Sequence, residues 1–170
     1  MASLVEELID VLENEHKIYE EMIPISEKKT LVIVENDITS LQSITEKEQE
    51  IIGRINALEK KRQEIMSNIK IVLGDKGKDL NLRRLVQLLE KQPKEQKILS
   101  QLHDKLVETT ERLVEVNNKN KSLIEQSLEM LEFNMNFVQS ANMAQMNNTY
   151  NKGASSNNNS MSKGMFDAKQ

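Results

Sequence analysis

Three observations predict an all-α fold: a long antiparallel helical hairpin, or coiled-coil bundle, of three long helices plus one short helix, with a disordered C-terminal tail. Apolar residues recur every three or four positions along most of the 170-residue chain instead of alternating. Five Gly, two Pro and 29% charged residues leave long stretches with nothing to stop a helix. An apolar content of 38% suits helical seams better than a thick globular core. The composition then changes after Gln145, which divides the chain into a helical domain over 1–144 and a tail over 145–170.

The first helix is predicted from residue 3 to about 35. Ser3 is its expected N-cap, with Glu6 completing a capping box, and Leu4, Val5, Leu8, Leu12, Tyr19 and Met22 form its apolar side. Pro24 lacks an N–H and its ring clashes with the preceding turn. It therefore either kinks the helix near Glu20 and Glu21 or ends it there, with a restart near Ser26. Asn36 and Asp37 mark a cap or tight corner.

The second helix, from about Ile38 to Leu73, has the clearest register. Ile44, Ile51, Leu58, Ile65 and Val72 recur every seven residues, with Leu41, Ile55 and Ile69 at the companion position, as in a coiled-coil seam. Glu48 and Arg62 fill the companion slots that are not apolar. Either they loosen the seam, or their stems cover it while their charges reach water. Gly74 and Gly77 stop the helix, since glycine adopts positive φ without steric cost. A short helix containing Leu80, Leu82, Leu85, Val86, Leu88 and Leu89 follows and is expected to cap one end of the hairpin.

Pro93 separates this short helix from the last one. There Leu99, Leu102, Leu106, Leu113 and Val116 keep the seven-residue register, which Asn120, Ser127 and Asn134 then interrupt. That helix is expected to run to about Ala144. Beyond it, seven Asn and four Ser lie between Asn142 and Gln170 with little to bury, the composition of a disordered tail. The isolated Met143, Met146, Tyr150, Met161, Met165 and Phe166 there are most simply solvated.

Composition and charge exclude several function classes. Without cysteine there is no disulfide framework, thiol nucleophile or thiolate metal site. The N-terminus carries acids where a signal peptide has bases, and no stretch of about 18 uncharged apolar residues exists. The chain is read as soluble, cytoplasmic and without stable membrane insertion. Net charge is −4, the first 36 residues being acidic and residues 37–98 mildly basic. The first two helices can thus pair with modest charge complementarity. The small basic groups Lys60–Arg62 and Arg83–Arg84 do not make the clustered face that nucleic acid requires.

Catalysis finds little support, and neither an enzyme nor a cofactor is predicted. His16 and His103 are the only histidines. Glu13 and His16 have the i, i+3 spacing of four-helix di-iron sites, but such a site needs a second pair, and Ser100 precedes His103 at that distance. The segment GDKGK lacks the phosphate-wrapping GxxxxGK[ST] spacing, and a helix-ending turn explains it.

The unusual segment is Leu123 to Val138. Leu123, Met130 and Phe137 continue the seven-residue stripe with Phe133 beside them, while Ile124, Leu128, Leu131, Met135 and Val138 form a second stripe about 100° away. The apolar arc covers roughly 220°, against about 100° or a little more for an ordinary surface helix. Phe and Met, deformable and polarizable, concentrate toward this end. Such a segment must bury two faces. Another protein, the chain's own helices or a second copy of it would serve the second face.

The chain resembles the FlgN-like flagellar export chaperones over roughly residues 4–138. The likeness rests on Leu12, Glu15 and Tyr19; on Asp37, Leu41 and Glu46; on Leu58, Glu59 and Arg62 within INALEKKRQEI; and on Asn117, Asn120, Leu123 and Ile124 before the last apolar stretch. The resemblance implies a cytosolic chaperone whose C-terminal helix captures the terminal amphipathic helix of hook-associated (hook–filament junction) proteins, prevents their premature assembly and presents them to the membrane export gate. The partner-binding residues are then Leu123, Ile124, Leu128, Met130, Leu131, Phe133, Met135, Phe137 and Val138. The alternative is a structural coiled-coil protein in which the second stripe drives self-association.

Overall fold

The computed structural model describes residues 2–74, 80–90 and 92–158, with side chains described from Ser3 and up to Met146. Four helices follow in order: α1 (Ala2–Val34), α2 (Ile38–Leu73), α3 (Leu82–Leu88) and α4 (Pro93–Asn158), with no strand among the described residues. Two units are distinguished, Met1–Ile124 and Glu125–Gln170.

Cross-helix pairs set the directions within the first unit. Glu15, Glu21 and Lys29 of α1 meet Arg62, Arg54 and Glu48 of α2, so partner numbers fall as α1 advances and the two helices are antiparallel. His16, Glu27 and Thr30 meet Thr109, Arg112 and Asn120 of α4, so α4 runs parallel to α1. Because α1 faces both neighbours, two of its rows are buried or half-buried. One is Val5, Leu8, Leu12, Glu15, Tyr19, Met22, Ser26, Lys29 and Ile33 at alternating steps of three and four, and the other is Leu4, Val11, Ile18, Ile25 and Val32 at every seventh residue. Of the second row the sequence reading takes in only Leu4, because one stripe suffices for a helix with one neighbour.

Two apolar clusters fill the interior. Near the start of α1, Val5, Leu8, Val11 and Leu12 pack with Ile65 and Ile69 of α2, Leu85 of α3, Leu89, and Leu99 and Leu102 of α4. Thus α3 caps that end of the hairpin, as its leucines imply. Farther along, Ile18, Met22 and Ile23 pack with Ile51 and Leu113.

Chain reversals follow the local sequence. α1 ends in a Schellman motif: Asn36 adopts φ 56°, its amide reaches the Ile33 carbonyl at 3.2 Å, and the Asp37 amide reaches that of Val32 at 3.1 Å. Asp37 then caps α2, accepting from the Ser40 amide at 3.0 Å. Hydrogen bonds from Ser40, side chain first and backbone second, hold this carboxyl below the usual range. Gly74, at φ 64°, closes α2. Gly77 lies outside the described residues. Asn81 caps α3 through the Arg84 amide, and Pro93 opens α4 at the position where a missing N–H costs least.

Several expectations are corrected. α1 begins at Ala2, so Ser3 lies in its first turn and is not the cap. Pro24 neither ends nor restarts α1: the helix is continuous, and Pro24 and the Glu20 it deprives of a donor are both exposed, where water can serve the carbonyl. Val72 leaves the seam and is exposed, with Leu73 packed against the core instead. A straight helix drifts by about 20° per heptad against a strict seven-residue repeat, which accumulates over the length of α2. Finally, α4 continues beyond Ala144 to Asn158, while residues 159–170, with Met161, Met165 and Phe166, lie outside the described residues.

Candidate functional site

The seam of α4 is buried through Leu99, Leu102, Thr109, Leu113 and Asn120, with Leu106 and Val116 half-buried. Two of these are polar, and each has a partner on α1. The Thr109 hydroxyl lies 3.1 Å from His16 Nε2, while His16 Nδ1 lies 3.6 Å from the exposed Glu20 carboxylate, beyond hydrogen-bond reach. Asn120, only 3% exposed, donates from Nδ2 to the Ser26 carbonyl at 2.8 Å, and its Oδ1 accepts from the Thr30 hydroxyl at 2.5 Å. The asparagine that interrupts the stripe is therefore a bonded core residue. Asn117 and Asn118 are exposed.

The predicted binding residues divide at Ile124. Leu123 and Ile124 are half-buried in the first unit. In the second, Leu128, Met130, Leu131, Phe133, Met135, Phe137 and Val138 are all exposed, from 56% at Val138 to 69% at Phe133. Both stripes are uncovered, where one was expected to be buried. Met143 and Met146 on the same helix are exposed as well, and they extend the surface past the predicted end at Val138. Their signal is the methionine enrichment, which the sequence alone groups with the scattered hydrophobes of the Asn-rich tail. Aliphatic, thioether and aromatic side chains dominate here, with carboxylates from Glu125, Glu129 and Glu132 and neutral Asn, Gln and Ser between them. Such a surface can bind by shape and apolar burial.

A second constellation lies between α1 and α2. Glu15, Tyr19, Glu59 and Arg62, distant in sequence and all among the residues that carry the resemblance, come together on adjoining turns. The Glu15 carboxyl is buried at 2% exposure, with Oε1 3.5 Å from Arg62 Nε and no hydrogen bond to that oxygen. Burial pushes its pKa up, Arg62 opposes the shift, and Glu59 adds to it. The Tyr19 hydroxyl is likewise raised, by burial first and then by Glu15. Arg62 also pairs with Glu59. Glu48, the other polar seam position of α2, is buried against Lys29 Nζ at 2.6 Å. Both polar slots of the α2 seam thus hold ion pairs with α1. A cavity of about 230 Å³ beside Arg62 is lined by Leu8, Leu12, Met66, Leu80 and Leu82. An open groove of about 530 Å³ between α1 and α4 is lined by His16, Glu20, Pro24, Lys105, Thr109 and Arg112, a mixture of both charge signs.

No helix among the described residues is long and apolar enough to cross a membrane. Neither a curated protein nor a solved structure matches the chain. A family model described as FlgN protein matches residues 1–158, which takes in both constellations.

Proposed function

Since the chain belongs to the FlgN family of flagellar export chaperones, we propose that it holds hook-associated subunits in the cytoplasm by laying their terminal amphipathic helix on residues 123–138 of α4, and hands them to the export gate. The observation that carries this reading is the uncovered apolar surface from Leu128 to Val138. A helix that is apolar over most of its circumference normally sits inside a bundle. Here the missing neighbour is supplied by the cargo, whose own apolar face is hidden in the same step.

The energetics allow tight but reversible capture. Burying Ile124, Leu128, Leu131, Met135 and Val138 at about 1.5–3 kcal/mol each contributes roughly 8–15 kcal/mol before costs. Association and ordering cost at least about 4 kcal/mol, so at most about 11 kcal/mol remains, a Kd no tighter than roughly ten nanomolar. Release then needs only a competing surface and no covalent step.

The test is co-purification with hook-associated subunits. Leu128→Asp combined with Leu131→Asp is expected to leave the helical content and the thermal transition of the chain in place while capture is lost. Normal capture by this folded double variant would remove the groove from residues 123–138. Truncation after Gln145 is expected to preserve capture, and its loss would move the site into the last 25 residues.

A further inference from the structure

The charges on the exposed apolar segment are of one sign. Between Lys121 and Lys152 the only side chains charged at neutral pH are Glu125, Glu129 and Glu132. At about 100° per residue these three share a sector of roughly 60° on α4, next to the stripe of Leu128, Leu131 and Met135. They occupy only the first two turns of the segment. From Phe133 to Met146 its polar residues are Asn, Gln and Ser. The segment thus has an apolar surface with an acidic edge at one end and a neutral edge at the other.

We infer that the occupant of this surface is an amphipathic helix whose apolar stripe is edged by Lys or Arg over about two turns, placed against Glu125, Glu129 and Glu132. This rests on the reading that residues 123–138 receive a partner helix, and adds which kind of helix it is. A second copy of this chain is the less fitting occupant, because it brings the same three acids and no base between Lys121 and Lys152. A base-edged helix gains charge-assisted contact along the rim of the apolar patch, the place where charges set register and association rate more than total affinity. Because the acids lie at one end only, they also distinguish one end of the bound helix from the other. Rim charges are solvated, so the preference is strongest at low ionic strength and fades as salt shortens the Debye length.

Two synthetic helical peptides of identical leucine stripe, spaced i, i+3/i+4, i+7, with flanking positions all Lys in one and all Glu in the other, test this by titration into the full chain at low salt. The Lys-edged peptide is expected to bind about tenfold more tightly, the worth of two or three exposed ion pairs, with the ratio shrinking in high salt. Glu129→Lys with Glu132→Lys, checked for unchanged helicity by circular dichroism, is expected to reverse the order. Leu128→Asp with Leu131→Asp is expected to abolish binding of both peptides, which separates seating on this face from general attraction to an acidic protein. Equal binding of the two peptides by the unaltered chain, or the same ratio in the charge-reversed variant, overturns the basic edge and leaves the apolar groove standing. Failure of both peptides to bind, or their unchanged binding to the Leu128/Leu131 variant, overturns the groove and the basic edge with it. A concentration-dependent dimer of the unaltered chain that Leu128→Asp with Leu131→Asp abolishes would also overturn it, by making a second copy the occupant.

Discussion

Residues 99–124 and 125–146 of α4 belong to one unbroken helix, yet their burial inverts the usual order of side chains. In the first stretch a polar residue, Asn120, is 3% exposed, while in the second an aromatic, Phe137, is 67% exposed. Hydrophobicity alone does not bury a residue; a neighbouring element must be there to cover it. α1 supplies that element to the first stretch, and the polar residues there are tolerated because α1 also supplies hydrogen-bond partners. In the second stretch the apolar residues outnumber the covering surface of their own unit, which is the condition under which another protein becomes the neighbour.

The largest effect that sharpens this contrast is on stability. Leu8→Ala in the interior of the first unit is expected to cost about 2–5 kcal/mol through lost burial and a residual cavity, whereas Leu131→Ala is expected to change the midpoint of denaturant unfolding hardly at all. Comparable losses at both positions would break the distinction. A smaller effect is expected at Asn120. Its replacement by Ala should cost about 1–2 kcal/mol by removing two hydrogen bonds from a buried site. Asn120→Leu should cost less, since it restores apolar volume, but should weaken the fixed register of α4 against α1. Hydrogen exchange of the α4 amides near residue 120 reads that loss directly.

The smallest effect concerns Glu15 and is a change of slope. Its carboxyl has a raised pKa in the folded chain, so the native state holds a proton more firmly than the unfolded state does. Its stabilising contribution is therefore complete below the ordinary value of 4.5 and is lost as pH rises through the raised folded value. Glu15→Gln is expected to remove this decline, so that the variant gains on the unaltered chain as pH rises across that window and then keeps a constant difference. Urea unfolding at a series of pH values measures it, and parallel curves would show that Arg62 compensates the buried carboxylate fully.

Much of this was legible in the sequence because local chemistry decides it. The seven-residue register located α2 from Ile38 to Leu73, Asn36 and Asp37 marked the corner, and Gly74 marked the end. What escaped depends on partners remote in the chain. Whether Glu48 and Arg62 loosen the α2 seam is settled by Lys29 and Glu15, which lie 19 and 47 positions away. The second buried row of α1 required knowing that two helices flank it. In the proposed binding segment the apolar excess between Leu123 and Val138 is readable, but its division into half-buried Leu123 and Ile124 and exposed apolar residues thereafter is not. Periodicity records which way a side chain faces and carries no information about where the neighbouring helix stops.

The Asn120 contact has a consequence for how such a chain can change over generations. Its acceptor is a main-chain carbonyl, which every amino acid carries, so substitution at position 26 cannot delete it; only size is policed there, because Ser26 is wholly enclosed. The amide at position 120 has no such insurance. Drift should therefore find Ala at 26 readily, while at 120 it should be held to the one short side chain that carries a donor and an acceptor on separate atoms.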